Sequence, residues 1–372
     1  MNDTTPARNL EETAMPRRQT PLPMPMLNRR RLLGGGLAVA AVAGGLPLPG
    51  AAQGGQVNVF NWDTYIGPDT IRDFTAATGI GVRYDLFASN DELFGRLREG
   101  NPGYDVIYPT NQYVERMVAA DMLIPLDHAR IPNIANLDPY FMAADFDPGR
   151  AHSLPYFWGT MGIGYRKSVA SPTSWAALID SDEFSGRVSL LDDNNIIRMA
   201  LIYLGYSLNT QDPGEIEEAV QLLIRAKPHI KTFAPDTGQD LLIAGEVDLC
   251  MEWNGDILQV MEEDDDLSYV VPDEGGLLWE DTMAIVQGAP NPDEAHEWIN
   301  FILDAEVHAA IASYIKYPLP NRAAKAFISE EDLMNPAIYP PDEILAKLQV
   351  QVYQGEEVES LYENALTRVL AA

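Results

Sequence analysis

From residue 56 onward, short apolar runs alternate with amphipathic segments. Residues 57–61 predict a strand, and residues 68–75 a helix with Pro68 near its first turn and Gly79 at its stop. Residues 82–87 predict the next strand, Asn90 and Asp91 are placed to cap a helix through Arg98 to Gly100, and residues 104–108 read as a third, buried strand. A second set follows, with a strand at 188–191 and helices at 194–204 and 213–226. In the last of these, Ile216, Ala219, Val220, Leu223 and Ile224 share one apolar face, the ordinary mark of core packing. Residues 247–251 read as a buried strand in which Cys250 is an inert core thiol. Helices dominate from Pro292 to the C-terminus, broken by Tyr317-Pro318-Leu319-Pro320-Asn321. Two alternating sets predict an α/β protein of two lobes, each a mostly parallel sheet flanked by helices, with ligands binding past the carboxyl ends of strands.

The first 55 residues have another character. Asn28-Arg29-Arg30-Arg31-Leu32-Leu33 leads into an uncharged Gly/Ala stretch ending near Ala52, which resembles a twin-arginine export signal over residues 1–52. An uncleaved anchor is the alternative, but the many Gly and Pro residues make a poor spanning helix, and no cysteine closes the segment for lipid attachment. Met24 and Met26 are alternative translation starts. The whole chain of 372 residues carries 55 acidic and 25 basic side chains, a net charge of −30; without the six basic and three acidic residues of this leader, 52 acidic and 19 basic remain, a net −33. Such a charge excludes a nucleic-acid binder lacking a segregated basic face. With 46% apolar and 22% charged residues the chain buries a core, and its single cysteine excludes an internal disulfide.

Three segments beside predicted strands combine tryptophan with carboxylate: Asn61-Trp62-Asp63-Thr64-Tyr65, Trp253-Asn254-Gly255-Asp256, and Trp279-Glu280-Asp281, the last expected just before a strand at 282–286. Alkylammonium ligands need this pairing, because carboxylates accept charge-assisted hydrogen bonds from the amine while ring faces attract the cation and cover the methylenes. Any one of these tryptophans is ordinarily a core or rim residue; the recurrence is what points to a ligand. Enzyme signatures are lacking: Gly162-Ile163-Gly164 has no third glycine of a dinucleotide loop, and no two histidines have the spacing of a helical metal site. The run Glu262-Glu263-Asp264-Asp265-Asp266 has no calcium-loop spacing and reads as a solvated loop.

The order of Asn61-Trp62-x-x-Tyr65, Ser89-Asn90-Asp91, Leu204-Gly205-Tyr206-Ser207, Trp253-Asn254-Gly255-Asp256, Glu274-Gly275-Gly276 and Tyr317-Pro318-x-Pro320-Asn321 resembles the periplasmic spermidine/putrescine-binding proteins of ATP-binding-cassette importers, over nearly all of residues 56–372. The resemblance implies a type II periplasmic binding fold, with a first lobe of residues 56–162 plus 279–318, a second of 163–278 plus 319–372, and a hinged cleft between them. It implies a non-catalytic monomer without cofactor or metal, whose partners are a polyamine and membrane permease subunits, and no nucleic acid. Carried over by motif, Trp62, Tyr65 and Thr110 line the first lobe, Trp253 and Asp256 flank the ligand, Trp279 covers the methylenes, Asp281 holds an amine, Tyr317 completes the wall, and Gln351, or alternatively Gln349, matches a family glutamine. Departures bear on ligand choice. Asp63 replaces a hydroxyl residue, Gln112 stands where spermidine-type members have an aromatic, and Asp192-Asp193-Asn194-Asn195-Ile196-Ile197 is one residue short, so that Asp193 matches an acid while the family's ligand-binding glutamate has no equivalent. Another small cationic or zwitterionic solute is therefore an alternative ligand. A secreted hydrolase using Asp192 and Asp193, with tryptophans as sugar platforms, and a signalling factor that kept only the fold are alternatives from other classes.

Overall fold

Strand β1 (Gln56–Trp62) is buried from its second residue to its sixth without alternation, as expected of a strand covered on both faces. In the computed structural model, which describes residues 54–372, β1 lies between two parallel partners, β2 (Gly81–Phe87) and β3 (Val106–Ile107). The connecting helices are Thr70–Thr78, closed by Gly79 at φ 75°, and Asn90–Arg98. Ser89, not Asn90, caps the latter, its hydroxyl accepting from the Glu92 amide. The third strand is shorter than expected because the Tyr108 carbonyl accepts instead from the Trp62 indole, at 2.9 Å.

Strand β4 (Ser153–Arg166), which sequence periodicity did not reveal, joins the two halves of the molecule. The remaining strands are β5 (Val188–Leu191), β6 (Ile230–Ala234), β7 (Leu249–Trp253), β8 (Leu267–Val270), β9 (Leu277–Ile285) and β10 (Gln349–Val350). The main strand order is β2-β1-β3-β9-β4-β7-β5-β6. From Ser153 to Thr160, β4 runs antiparallel to β9; from Met161 onward it pairs with β7, and from Ile163 also with β8. The fold is thus the two-lobed α/β arrangement, but its centre is antiparallel rather than mostly parallel. A strand that runs from one lobe into the other needs its return strand, β9, to come back beside it.

Two strand boundaries differ from expectation in ways that matter for the site. β7 begins at Leu249 and ends on Trp253. β9 begins at Leu277, so Trp279, Glu280 and Asp281 lie inside the strand and not before it. All nine residues of β9 are buried, and its two carboxylates do not break it because each finds a partner: Arg150 for Glu280 and Thr110 for Asp281. Gly162-Ile163-Gly164 is ordinary β4 backbone. In the acidic run, Asp264 and Asp266 are not merely solvated but hold Arg166, at 2.9 and 3.2 Å. One apolar core spans both lobes, and a smaller one gathers Cys250, a buried free thiol, with Leu242, Ile257 and Tyr269. No helix among the described residues is long and apolar enough to cross a membrane.

Behind Asp281 lies a buried ion pair. Arg150, wholly inaccessible, reaches the Phe141 carbonyl through Nε (2.7 Å) and Glu280 Oε1 through Nη2 (2.7 Å). Removing one partner of such a pair strands a buried charge and costs about 3–5 kcal/mol. Arg150→Met should destabilise by that order in urea unfolding, whereas Arg150→Met/Glu280→Leu should recover most of the loss.

Candidate functional site

The carboxyl ends of β1 and β7 and the middle of β9 converge on one cavity of about 370 Å³. All eleven residues expected from the sequence line it: Trp62, Asp63, Tyr65, Thr110, Asp193, Trp253, Asp256, Trp279, Asp281, Tyr317 and Gln351.

Asp281 is held by a relay of side-chain donors. Its Oδ1 accepts from the Thr110 hydroxyl at 2.6 Å, and Thr110 Oγ1 in turn accepts from Asn90 Nδ2 at 2.8 Å. Thr110 occupies the N-cap position of helix Asn111–Ala119, yet its hydroxyl serves Asp281 and not the helix amides. Thr282 fastens the strand beside it, donating from backbone and side chain to the Pro109 carbonyl at 3.0 and 2.9 Å. Burial pushes the Asp281 carboxyl up to about 7, against the Thr110 and Tyr65 hydroxyls, which favour the anion. Tyr65, itself buried, has its phenol pushed up by burial and by the Asp281 charge.

Aromatic rings form the walls. Tyr317 packs edge-on against Tyr65 (5.6 Å between centroids) and Trp279 (5.0 Å), and Trp279 against Trp253 (6.1 Å). Two glycines allow this closeness. A Cβ at Gly159 would strike the Trp279 indole, and one at Gly255 would strike the Tyr317 ring. The Trp279 indole N–H is buried in the cavity wall without a protein partner. Trp62 is fixed by its bond to Tyr108, and exposed Asp63 accepts from the Thr64 amide at 2.8 Å.

On the opposite side, Asn195 donates to both oxygens of Asp193, from its amide and its Nδ2, each at 2.9 Å, and burial lifts this acid to about 6. Gln351, with its amide oxygen turned to Arg198, accepts from Nη2 at 2.8 Å, while its carbonyl accepts from Asn111 at 2.7 Å. Gln349 is not part of the wall; it holds the Leu208 amide at 3.0 Å. Asp256, in the first turn of helix Asn254–Met261, accepts from the Tyr317 hydroxyl at 2.9 Å.

Sequence reasoning missed four acids of the lining: Asp91, Asp236, Glu359 and Glu363. Asp236 lies two residues past the end of β6, where the rule of reading past strand ends would have found it had that strand been recognised. Glu359 and Glu363, one turn apart on the C-terminal helix Glu356–Ala371, carry no local signal. With these, nine lining residues are acidic, and among the described residues lining the cavity none is Lys, Arg or His. Such a cavity attracts a compact polycation and repels anions.

The chain matches the family model described as bacterial extracellular solute-binding protein over residues 69–338. It is 35% identical over 340 residues to the spermidine/putrescine-binding periplasmic protein of Escherichia coli (strain K12), covering 90% of this chain and 97% of that one. It is 32% identical over 370 residues to that organism's putrescine-binding periplasmic protein, covering 93% and 99%. The crystal structure of a spermidine/putrescine substrate-binding protein from Streptococcus pneumoniae superposes with a TM-score of 0.77 at 33% identity, over 85% of this chain and 99% of that one.

The raised carboxyls have a cost in the empty protein. An Asp with a free value near 3.9 that is raised to about 7 on folding stabilises fully below its unfolded value and loses that contribution as pH climbs through 7. The ligand-free melting temperature should therefore fall between pH 5 and pH 8. Asp281→Asn should flatten part of that fall and melt higher than wild type at pH 8 in differential scanning calorimetry, by roughly 2–4 °C per kcal/mol relieved.

Proposed function

The chain belongs to the bacterial extracellular solute-binding proteins, and we propose that it is a non-catalytic periplasmic protein that captures a polyamine of the putrescine or spermidine class for an ATP-binding-cassette importer. The observation that carries this reading is the coincidence in one cavity of tryptophan and tyrosine rings packed edge to face with nine carboxylates and no cationic side chain among the described lining. Asp281 takes one ammonium group, with Thr110 and Tyr65 orienting it. Trp253, Trp279 and Tyr317 cover the methylenes, Trp62 and Asp63 close the first-lobe side, and Asp193, Asp256 and Gln351 face them from the second. No reaction is assigned to Asp192 and Asp193.

The lobes are assigned as residues 56–162 plus 279–318 and 163–278 plus 319–372. The hand-over of β4 from β9 to β7 near Met161 supports this division. The family supports an exported protein. The twin-arginine route is read from Arg29-Arg30-Arg31 and the apolar stretch behind it, which lie outside the described residues. Permease subunits are the protein partner, and the binding unit is a monomer.

Charge-assisted hydrogen bonds contribute about 1.5–3 kcal/mol each and cation–π contacts about 0.5–2. Two or three of each, after the cost of association, leave roughly −8 kcal/mol, a micromolar dissociation constant. In a thermal-shift panel, putrescine, cadaverine, spermidine or spermine should stabilise the protein while amino acids and sugars leave it unchanged; a ligand at 100 times its Kd adds about 2.7 kcal/mol. Stabilisation by sugars or amino acids instead of amines would overturn the reading. Asp281→Asn should weaken the amine by tenfold or more in calorimetry.

A further inference from the structure

Asp236, on the loop between β6 and helix Gly238–Ile243, belongs to no motif that identified the site. Its carboxylate, that of Glu252 on β7 and that of Asp256 on helix Asn254–Met261 bring oxygens within 4.8 Å of one another. Glu252 is wholly buried and accepts from the Gly238 amide at 3.0 Å and the Trp253 amide at 3.2 Å. The Asp236 carboxylate lies beside that of Glu252, and Asp256 accepts from the Tyr317 hydroxyl. The other ionisable groups acting on these three are Asp240 of helix Gly238–Ile243, Cys250 of β7, Tyr269 of β8, and Tyr65 and Tyr317 of the cavity wall. None of these is a base. Three carboxylates so close, without a counter-cation, repel one another, and ionising all three together is unfavourable. Burial and the Asp236 charge push Glu252 and Asp256 upward, and the Asp236 carboxyl is raised by its own desolvation and by Asp240.

Asp236 and Asp256 open onto the same cavity as Asp281, whose wall also holds the unpartnered indole N–H of Trp279, itself 93% buried. We propose that Asp236, beside Glu252, is a further ligand-contacting carboxylate that sets specificity for a second cationic end, and that the incoming ammonium displaces a proton shared by the three acids. The proton leaves to solvent as the ammonium N–H groups take its place, so no covalent bond changes. This rests on the polyamine reading above. It goes further in naming the acid that meets the end of the ligand distant from Asp281 and in coupling capture to proton release.

The test is calorimetry of putrescine at pH 7.5, with EDTA present, in several buffers of different ionisation enthalpy, for wild type and Asp236→Asn. Asp281 is common to both proteins, so the difference in proton count isolates the trio. Wild type should release close to one proton per ligand and Asp236→Asn measurably less, with putrescine bound tenfold or more weakly. The preference for putrescine over butylamine, which has a single ammonium, should narrow in the variant. Asp236 is surface-accessible, and an unchanged circular dichroism spectrum and melting transition establish that the variant is folded. Equal proton counts and an equal preference in the two proteins would overturn the inference while leaving polyamine capture intact. Proton release seen only without EDTA would assign the trio to a metal ion and also overturn it. Failure of wild type to bind any amine would remove the polyamine reading itself.

Discussion

The structure turns on an anionic cavity that the protein neutralises only in part: of its nine lining acids, Asp91 and Glu359 meet Arg116 and Arg198, at 3.6 and 4.0 Å, while Asp281, Asp193, Asp236 and Asp256 meet no cation among the described residues. Burying a carboxylate without a cation is unfavourable, and folded chains ordinarily avoid it by pairing. This chain does pair Glu280 with Arg150, at the back of β9, one residue from Asp281. On the cavity side it supplies Asp281 only with the Thr110 hydroxyl, Asp193 only with the two donors of Asn195, Glu252 with backbone amides and Asp256 with a phenol. The missing positive charge is left for the ligand, and the upward push on these carboxyls is the physical expression of that vacancy in charge.

Sustaining such a site requires a stiff frame. The long strands β4 and β9 run side by side through the middle of the molecule, and β9 presents successive residues to opposite environments: Glu280 to Arg150, Asp281 to the cavity. Thr282 locks the same strand to Pro109, which brings Thr110 to bear on Asp281. Gly159 and Gly255 let Trp279 and Tyr317 lie directly on neighbouring backbone, so the aromatic walls are held by close contact as well as by each other.

Much of this was legible in the sequence. The β1 and β5 segments are short, largely apolar runs, β2 mixes apolar with charged positions, and the helix Pro213–Ala226 has an unambiguous apolar face. Trp62 and Trp253 close their strands and could be found by reading past apolar runs. β4 escaped because twelve of its fourteen residues are buried on both faces, leaving no alternation, and glycines interrupt it. β9 was read too short because Glu280 and Asp281 look like solvent-facing residues until their partners, 130 and 171 residues away, are known. Asp91, Glu359 and Glu363 reach the cavity from helices whose local sequence says only that those faces are polar. The family motifs supplied Thr110 and Gln351, which no local pattern would have singled out.

Bulk charge plays a smaller part than the total of −30 suggests. Only nine of the 55 acidic side chains line the cavity, salt screens exposed charges beyond about 8 Å, and selectivity rests on the few acids placed beside rings. The most direct measurement is a crystal structure of the putrescine or spermidine complex. One ammonium nitrogen should lie within about 3 Å of an Asp281 carboxylate oxygen, with the methylene chain running between Trp253, Trp279 and Tyr317. An amine bound outside this cavity, or bound inside it with every nitrogen remote from Asp281, would contradict it.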